Sequence, residues 1–436
     1  MAAKTTALRW LIRAVTTFAA VAGWFVWWRA VAEAGQRATV KRLLEDPAVH
    51  EAAGEYSREQ GVPFAAALRL AGGYAREISP SPDSRLYLRV AVPLARLVVH
   101  FLYGDRLRSG GEEYMPETGG DSGVVFVMNH RSNLDYVVLG HLLGERVVPS
   151  FAAGEWASFW PLGPLVRAMG SFFVRRGSGD ALYRRVLERF VQTGLERGLT
   201  PVVFVEGGLS RDGRLQEPKT GLLDYALRRF DPFGERDFLF VPVGINHDWV
   251  LEDGSLPSLG EPHPSGVRSV FSTILFILRR LRGALRGSGR LGHAAVRFGK
   301  PVSAREWARS RNLDPRTLKP EARVERVREF ARELMRSAGG LVPVTPVPVV
   351  ARVLLEPFEE PFSMKEILSR SRSLVLELER RGAWACFEED AAVEAALGMI
   401  VSRRLVVREG DHYRAAPEGV KLLRFYAASI SHFLPE

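Results

Sequence analysis

Three short apolar runs in the middle of the chain each end on a polar cluster. Gly123-Val-Val-Phe-Val-Met128 leads into Asn129-His130-Arg131-Ser132-Asn133-Leu134-Asp135. Val202-Val-Phe-Val205 leads into Glu206-Gly207-Gly208, and Phe238-Leu-Phe-Val-Pro-Val243 into Gly244-Ile-Asn246. Continuous β-branched and aromatic runs of this length read as buried strands. Helical stretches such as Asp180–Arg197 separate them. The alternation predicts an α/β domain with a mostly parallel sheet and flanking helices. Chemistry in such sheets gathers where strands end and loops begin, so the three clusters are expected on one rim.

The rest of the chain divides around that domain. Residues 1–35 read as a membrane-associated helix, 36–105 as a helical region, 106–305 as the catalytic α/β domain and 306–341 as a helical linker. Residues 342–436 read as a C-terminal module. The N-terminal stretch Leu8–Arg29 holds fifteen uncharged residues between Arg13 and Arg29, including Trp24, Trp27 and Trp28. A full span needs about 20 apolar residues, and the run ends on aromatic residues and arginine rather than a small-residue cleavage site. The expectation is an uncleaved helix that lies in the interface or barely spans. From Pro262 to Arg305 there is no acidic residue but nine Lys and Arg, which supply most of the net charge of +10. Within it, 267–287 alternates apolar and basic residues, the pattern of an amphipathic helix on an anionic membrane. The single cysteine, Cys386, excludes an intrachain disulfide and a thiolate metal cluster, and its apolar neighbours predict a buried thiol.

A Pro-rich linker (Pro343, Pro346, Pro348) is expected to open the C-terminal module. The module itself reads as helix (Met364–Arg380), helix (Asp390–Arg404), hairpin (Leu405–Ala416) and helix (Glu418–Phe433). That outline is winged-helix-like and makes nucleic-acid binding an alternative of another class.

The chemistry starts from His130 and Asp135. Histidine is suited to accept a proton near neutral pH. A carboxylate five residues on can return across a tight turn to its other nitrogen and fix the tautomer. No Gly-x-Ser-x-Gly nucleophile elbow accompanies the pair, so direct attack of a substrate hydroxyl on an acyl thioester is the economical reaction. By itself His-x4-Asp is a weak pattern that a structural histidine also satisfies. The downstream motifs strengthen it. Arg175 and Arg176 follow Gly170-Ser-Phe-Phe-Val174, and paired guanidiniums suit a phosphate. The turn Glu206-Gly207-Gly208-Leu209-Ser210-Arg211-Asp212-Gly213-Arg214 offers backbone amides, a hydroxyl and two guanidiniums, a combination suited to an anion or a developing oxyanion. Lys219, in Pro218-Lys-Thr-Gly221, adds a further cation.

From about Val127 to Asp248 the chain resembles the glycerol-3-phosphate acyltransferases of the bacterial membrane type and their mitochondrial and peroxisomal relatives, within the wider glycerolipid (PlsC-like) acyltransferase superfamily. The resemblance runs through ordered blocks: Asn129–Tyr136, then Ala153-Gly-Glu155 with Phe159–Pro164, then Gly170–Arg176, then Phe204–Gly208 with Pro218–Gly221. It implies a glycerolipid acyltransferase fold, a catalytic role for His130 with Asp135 as its partner, and acyl-CoA or acyl carrier protein as donor. It implies that Arg175, Arg176 and the turn that opens in the fourth block (Glu206, Gly207, Gly208, Ser210, Arg211), with Lys219, hold the phosphate of glycerol 3-phosphate. It implies no metal or prosthetic group, and work at a phospholipid membrane on the cytoplasmic face. The ending Leu423–Phe433 resembles that family's tail, which argues against nucleic acid as a partner. One position departs: Leu209 stands where the family usually carries an arginine expected to touch the acceptor phosphate. Either Arg211 or Arg214 supplies that charge, or the acceptor is another, such as dihydroxyacetone phosphate or a lysophospholipid. The chain is also much shorter than the longest bacterial members.

Overall fold

The computed structural model describes residues 35–80, 87–116, 122–144, 146–154, 166–167, 169–175, 177–253, 280, 283, 290–357, 360–388 and 390–435. The expected N-terminal helix of Leu8–Arg29 lies outside them, as does the basic segment 267–287 apart from residues 280 and 283. Among the described residues no helix is long and apolar enough to cross a membrane.

The chain forms two compact units, one of Met1–Arg89 with Ala153–Phe190 and one of Val90–Ala152 with Val191–Glu436. In chain order the helices are α1 (Pro47–Gln60), α2 (Phe64–Ile78), α3 (Val92–Leu102), α4 (Leu134–Leu143), α5 (Ala181–Glu196) and α6 (Gly221–Leu227). They continue with α7 (Ala304–Ser310), α8 (Pro320–Gly339), α9 (Pro346–Leu354), α10 (Met364–Arg380), α11 (Asp390–Ser402) and α12 (Val420–Ala428). The strands are β1 (Leu107–Gly110), β2 (Ser122–Met128), β3 (Pro149–Gly154), β4 (Phe172–Val174), β5 (Thr200–Phe204) and β6 (Asp237–His247). After them come β7 (Ala294–Phe298), β8 (Val302–Ser303), β9 (Phe362–Ser363), β10 (Val406–Glu409) and β11 (His412–Ala415).

In the first unit, α1 starts at Asp46, whose carboxylate accepts the Ala48 N–H at 2.9 Å, and stops at Gly61 in the left-handed region (φ 64°). The Asp46 carboxylate also meets Arg189 at 2.7 Å. Asp180 accepts the Tyr74 hydroxyl at 2.5 Å and the Tyr183 N–H at 3.1 Å, which fixes the start of α5.

The second unit holds the sheet in the order β1-β7-β6-β2-β5-β3, with β8 on β6. β2 pairs in parallel with both β5 and β6, β3 with β5, and β1 with β7; β7 and β8 run antiparallel to β6. The expected mostly parallel α/β sheet is therefore present. Its register places Met128 opposite Phe204 and opposite Val243, so the three strand ends share one rim as expected. β6 then overhangs that rim. Its last residues, Gly244–His247, lie beyond the ladder with β2 and pair with β7 instead. On the sheet, Phe126, Met128, Val202, Val241 and Ile245 pack with Leu134, Val138 and Leu139 of α4 as one buried core. Phe330 of α8 meets Phe240 (5.1 Å between ring centres) and Trp307 (4.6 Å), so α7 and α8 cover the sheet.

The C-terminal elements match their expected order of helix, helix, hairpin and helix, with β10-β11-β9 as a small antiparallel sheet. The Pro-rich stretch corrects the reading. It is no linker: Pro346 and Pro348 sit buried in the first turn of α9. Proline is tolerated there because first-turn N–H groups lack a helical acceptor anyway. The helix is packed at the centre of a cluster with Val393, Leu397, Ile400, Leu423 and Tyr426. That cluster includes Val250, just past β6, and Asp248 Oδ1 accepts the Val347 N–H at 2.8 Å. The C-terminal elements thus belong to the same compact unit as the sheet. Cys386 is buried as expected, and burial pushes its thiol above the ordinary range.

Candidate active site

β2 hands the chain to a turn that Asn129 builds. Its side-chain amide donates to the Ile245 carbonyl at 3.0 Å, and its side-chain oxygen accepts the Ile245 N–H at 2.9 Å. Asn129 thereby extends the pairing with β6 beyond the point where the β2 backbone turns away. His130 follows, buried at 4% exposure. Its backbone is tied at both ends to the turn after β5. Its N–H donates to Glu206 Oε1 at 2.9 Å, and its carbonyl accepts the Ser210 N–H at 3.1 Å. The ring stacks on Phe204 (3.8 Å between centres, 25°) with Tyr136 edge-on at 5.5 Å. Phe204 is the last residue of β5, so the same register that aligns the strand ends places the ring's platform.

His130 Nδ1 donates to Asp135 Oδ2 at 2.9 Å. The same oxygen accepts the N–H groups of Arg131 (2.8 Å) and Ser132 (3.1 Å), donors at the start of α4. The other oxygen, Oδ1, accepts from His247 Nε2 at 2.7 Å, and His247 Nδ1 lies 3.1 Å from the Tyr103 hydroxyl. The proton positions follow from chemistry. A carboxylate only accepts, so both imidazole nitrogens that face it carry hydrogen, and Tyr103 donates to the remaining nitrogen of His247. Burial pushes the Asp135 carboxyl up, but the hydrogen bonds and charge of His130 and His247 outweigh it and hold the group well below the usual carboxylate range. With Nδ1 occupied, His130 Nε2 is left as a proton acceptor, and among the described residues it has no hydrogen-bond partner.

Two more carboxylates brace the turn. Glu206 accepts the N–H groups of His130 and Gln216 (3.1 Å), and burial pushes its carboxyl up to about 7. Glu252 accepts the Ser132 hydroxyl at 2.8 Å and the Asn133 N–H at 2.9 Å, and burial raises it as well. Arg131 is 3% exposed, with Nη1 donating to the Gly213 carbonyl at 2.6 Å and the guanidinium 4.8 Å over the Phe425 ring. Gly213 (φ 86°) is required there, because a β-carbon would stand 1.9 Å from the Phe425 carbonyl oxygen.

The other residues singled out in the sequence are placed as follows. Gly207 (φ 73°) lets the Lys219 stem pass, where a β-carbon would come within 2.8 Å of its Cγ. Gly208 lies half-buried in the same turn. The Ser210 N–H is spent on His130 and its hydroxyl donates to the Arg214 carbonyl at 2.8 Å, so Ser210 holds the turn. Arg211 and Lys219 are exposed in the second unit. Arg175 belongs to the first unit, where it grips Glu77 through Nε (2.6 Å) and Nη2 (2.5 Å) between the rings of Tyr74 and Tyr183. Arg176 lies outside the described residues. His247, Tyr103 and Glu252 were not anticipated. His247 had a signal: it lies one residue past Asn246, at the end of a strand run already read as feeding the rim.

The acyltransferase family model matches residues 106–246, and the model of the glycerol-3-phosphate acyltransferase C-terminal region matches 276–435. A glycerol-3-phosphate acyltransferase of Pseudomonas fluorescens (strain SBW25) is 31% identical over 363 residues, 79% of this chain and 41% of the relative. That of Pseudomonas aeruginosa (strain LESB58) is 30% identical over 387 residues, 86% of this chain and 45% of the relative. The chain therefore spans less than half the length of these curated relatives. Both family models occur here in chain order, and between them they take in the sheet, the His130 turn and the C-terminal elements, an arrangement similar to that of the glycerol-3-phosphate acyltransferases.

Proposed function

We propose that the chain transfers a fatty acyl group from an acyl-CoA or acyl carrier protein thioester to the 1-hydroxyl of glycerol 3-phosphate, with His130 as general base. The observation that carries this reading is the free Nε2 of an imidazole whose Nδ1–H is held by a buried carboxylate. The acceptor hydroxyl gives its proton to Nε2 as its oxygen attacks the thioester carbonyl. The tetrahedral intermediate collapses, the carbon–sulfur bond breaks, and the thiol leaves with the proton returned by His130. Asp135 stabilises the transient imidazolium. Direct attack is favoured over a serine intermediate, because the Ser132 and Ser210 hydroxyls are both committed as donors, to Glu252 and to Arg214. Purified protein given one acyl-CoA and a panel of acceptors tests the substrate. Glycerol 3-phosphate should give the highest kcat/KM, with acylation at position 1. A larger value for dihydroxyacetone phosphate or a lysophospholipid would reassign the acceptor and give Leu209 its reason.

The work surface in this reading is the cytoplasmic face of a phospholipid membrane. Its support is α3 and the residues just before it, where Val90, Leu94 and Leu97 are 39%, 54% and 51% exposed beside exposed Arg96 and His100. Exposed apolar residues at helical spacing with basic neighbours suit an anionic lipid interface. Leu94→Glu/Leu97→Glu should cut co-sedimentation with anionic vesicles severalfold while the melting temperature stays put. Unchanged sedimentation would remove α3 from the membrane-facing surface.

A further inference from the structure

The turn after β5 forms one wall of a cleft of about 810 Å3, and α9, α12 and the stretch Ser431–Pro435 form the other. Three guanidiniums line it: Arg214 from the turn, Arg352 from α9 and Arg424 from α12. Helical spacing turns them to the same side. Arg424 shares its face with Ala427 and Ala428, at i+3 and i+4, and Arg352 with Leu355, and all of these residues line the cleft. The two alanines keep the space beside Arg424 open.

All three arginines are exposed, and among the described residues none of the three guanidiniums has a carboxylate partner. That sets them apart from other surface arginines of the chain, such as Arg316, which pairs with both Asp231 and Asp314. Among the described residues a single carboxylate lines the cleft, Asp212, and it is already engaged: its Oδ1 accepts the Arg214 N–H at 2.9 Å and the Gln216 side-chain amide at 2.9 Å. The cleft therefore gathers positive charge that no carboxylate among the described residues neutralises, which favours an anion within it. Planar guanidiniums match phosphate oxygens with paired donors.

The cleft is braced from the candidate active site. Arg131, next to His130, holds the Gly213 carbonyl of the turn that carries Arg214, and lies over Phe425, the neighbour of Arg424. Its Nε and Nη2 are buried without partners.

We propose that this cleft is a phosphate-binding subsite for a phosphorylated substrate, with Arg214, Arg352 and Arg424 as the anion ligands. The phosphate belongs either to the acyl acceptor or to the coenzyme of the donor, so the identity of the ligand rests on the acyl-transfer reading, while anion binding does not. Arg352 lies outside the motifs that carry the family resemblance, and Arg424 lies in the Leu423–Phe433 tail.

The test is equilibrium binding by calorimetry on the whole detergent-purified chain. The probes are inorganic phosphate, glycerol 3-phosphate and coenzyme A. Arg352→Ala/Arg424→Ala should weaken at least one of them by about tenfold or more, since one charge-assisted contact is worth about that much. Weakening of glycerol 3-phosphate assigns the subsite to the acceptor, weakening of coenzyme A to the donor, and weakening of inorganic phosphate supports an anion site in its own right. Both side chains are exposed and unpaired, so the variant should melt like the parent. Arg229→Ala/Arg380→Ala removes the same charge from exposed positions elsewhere and should stay within about twofold. Unchanged affinity for all three probes, or equal weakening in the control pair, would overturn the proposal. His130→Ala should keep phosphate binding while losing turnover, so failure of the acyl-transfer reading is distinguishable from failure of the subsite.

Discussion

His130→Ala is expected to lower kcat for acyl transfer by about 10³-fold, within the range for loss of a general base, with little change in the KM of either substrate. The fold should survive. Asp135 keeps the Arg131 and Ser132 N–H donors on one oxygen and His247 on the other, so removing the imidazole leaves no unpaired carboxylate oxygen. The backbone bonds of residue 130 to Glu206 and Ser210 also persist, since they use no side-chain atom of that residue. Single-turnover kinetics with a matched melting curve reads both parts. Near-normal turnover in a folded variant would exclude His130 as the base. A collapse in stability would instead make its role structural.

Asp135→Ala should act in the opposite sense, on stability first. The carboxylate is 0% exposed and takes four donors. Removing it strands two buried imidazoles and two helix-start amides. Loss of one partner from such a buried network costs about 3–5 kcal/mol, a fall of about 5 °C in melting temperature for a chain of 436 residues. Asp135→Asn should be much milder, because of His247. The asparagine oxygen must take the Oδ2 position, where two backbone N–H groups and His130 Nδ1 point, and its NH2 then faces His247. His247 can accept that donor by moving its own proton to Nδ1 and donating to the Tyr103 oxygen. The amide therefore keeps the His130 tautomer, and only the negative charge opposite the imidazolium is lost. The expected result is a folded enzyme with kcat reduced by about 10²-fold or more.

A pH series separates the charge from the shape. The folded Asp135 carboxyl sits below its ordinary value, so the folded state binds fewer protons than the unfolded one. Its stabilisation is present above about pH 4, the unfolded value, and is lost as pH falls toward the folded one. The melting-temperature advantage of the parent over Asp135→Asn should shrink in that acid window. A gap that stays constant with pH would show that the carboxylate charge contributes nothing.

Much of this architecture was legible in the residues. Apolar runs of strand length, each closed by a polar cluster, dictate buried parallel strands, and parallel strands put their C-terminal ends together. The pairing of His130 with Asp135 was legible for a similar reason: five residues across a turn into a helix is a local constraint, and local geometry is written in local sequence. The C-terminal helices and hairpin were readable from their own periodicity. Proline misled at Pro346 and Pro348, because the same residue marks a linker and the first turn of a helix, and only packing distinguishes the two.

The contacts that sequence spacing could not supply join residues far apart in the chain. His247 reaches Asp135 because β6 overruns the rim and finds a second partner in β7. Arg175, in a motif that suggests a phosphate ligand, meets Glu77, 98 positions away. Arg214, Arg352 and Arg424 come from three separate stretches and share one cleft only because α9 and α12 fold against the turn after β5. The sequence by itself determined the strands, their shared rim and the His130–Asp135 pair, since each depends on neighbours within a few residues. Only the tertiary structure decided which distant side chains complete that pair and which cations are left without a carboxylate, because those outcomes depend on how strands of unequal length align and on which helices cover their ends.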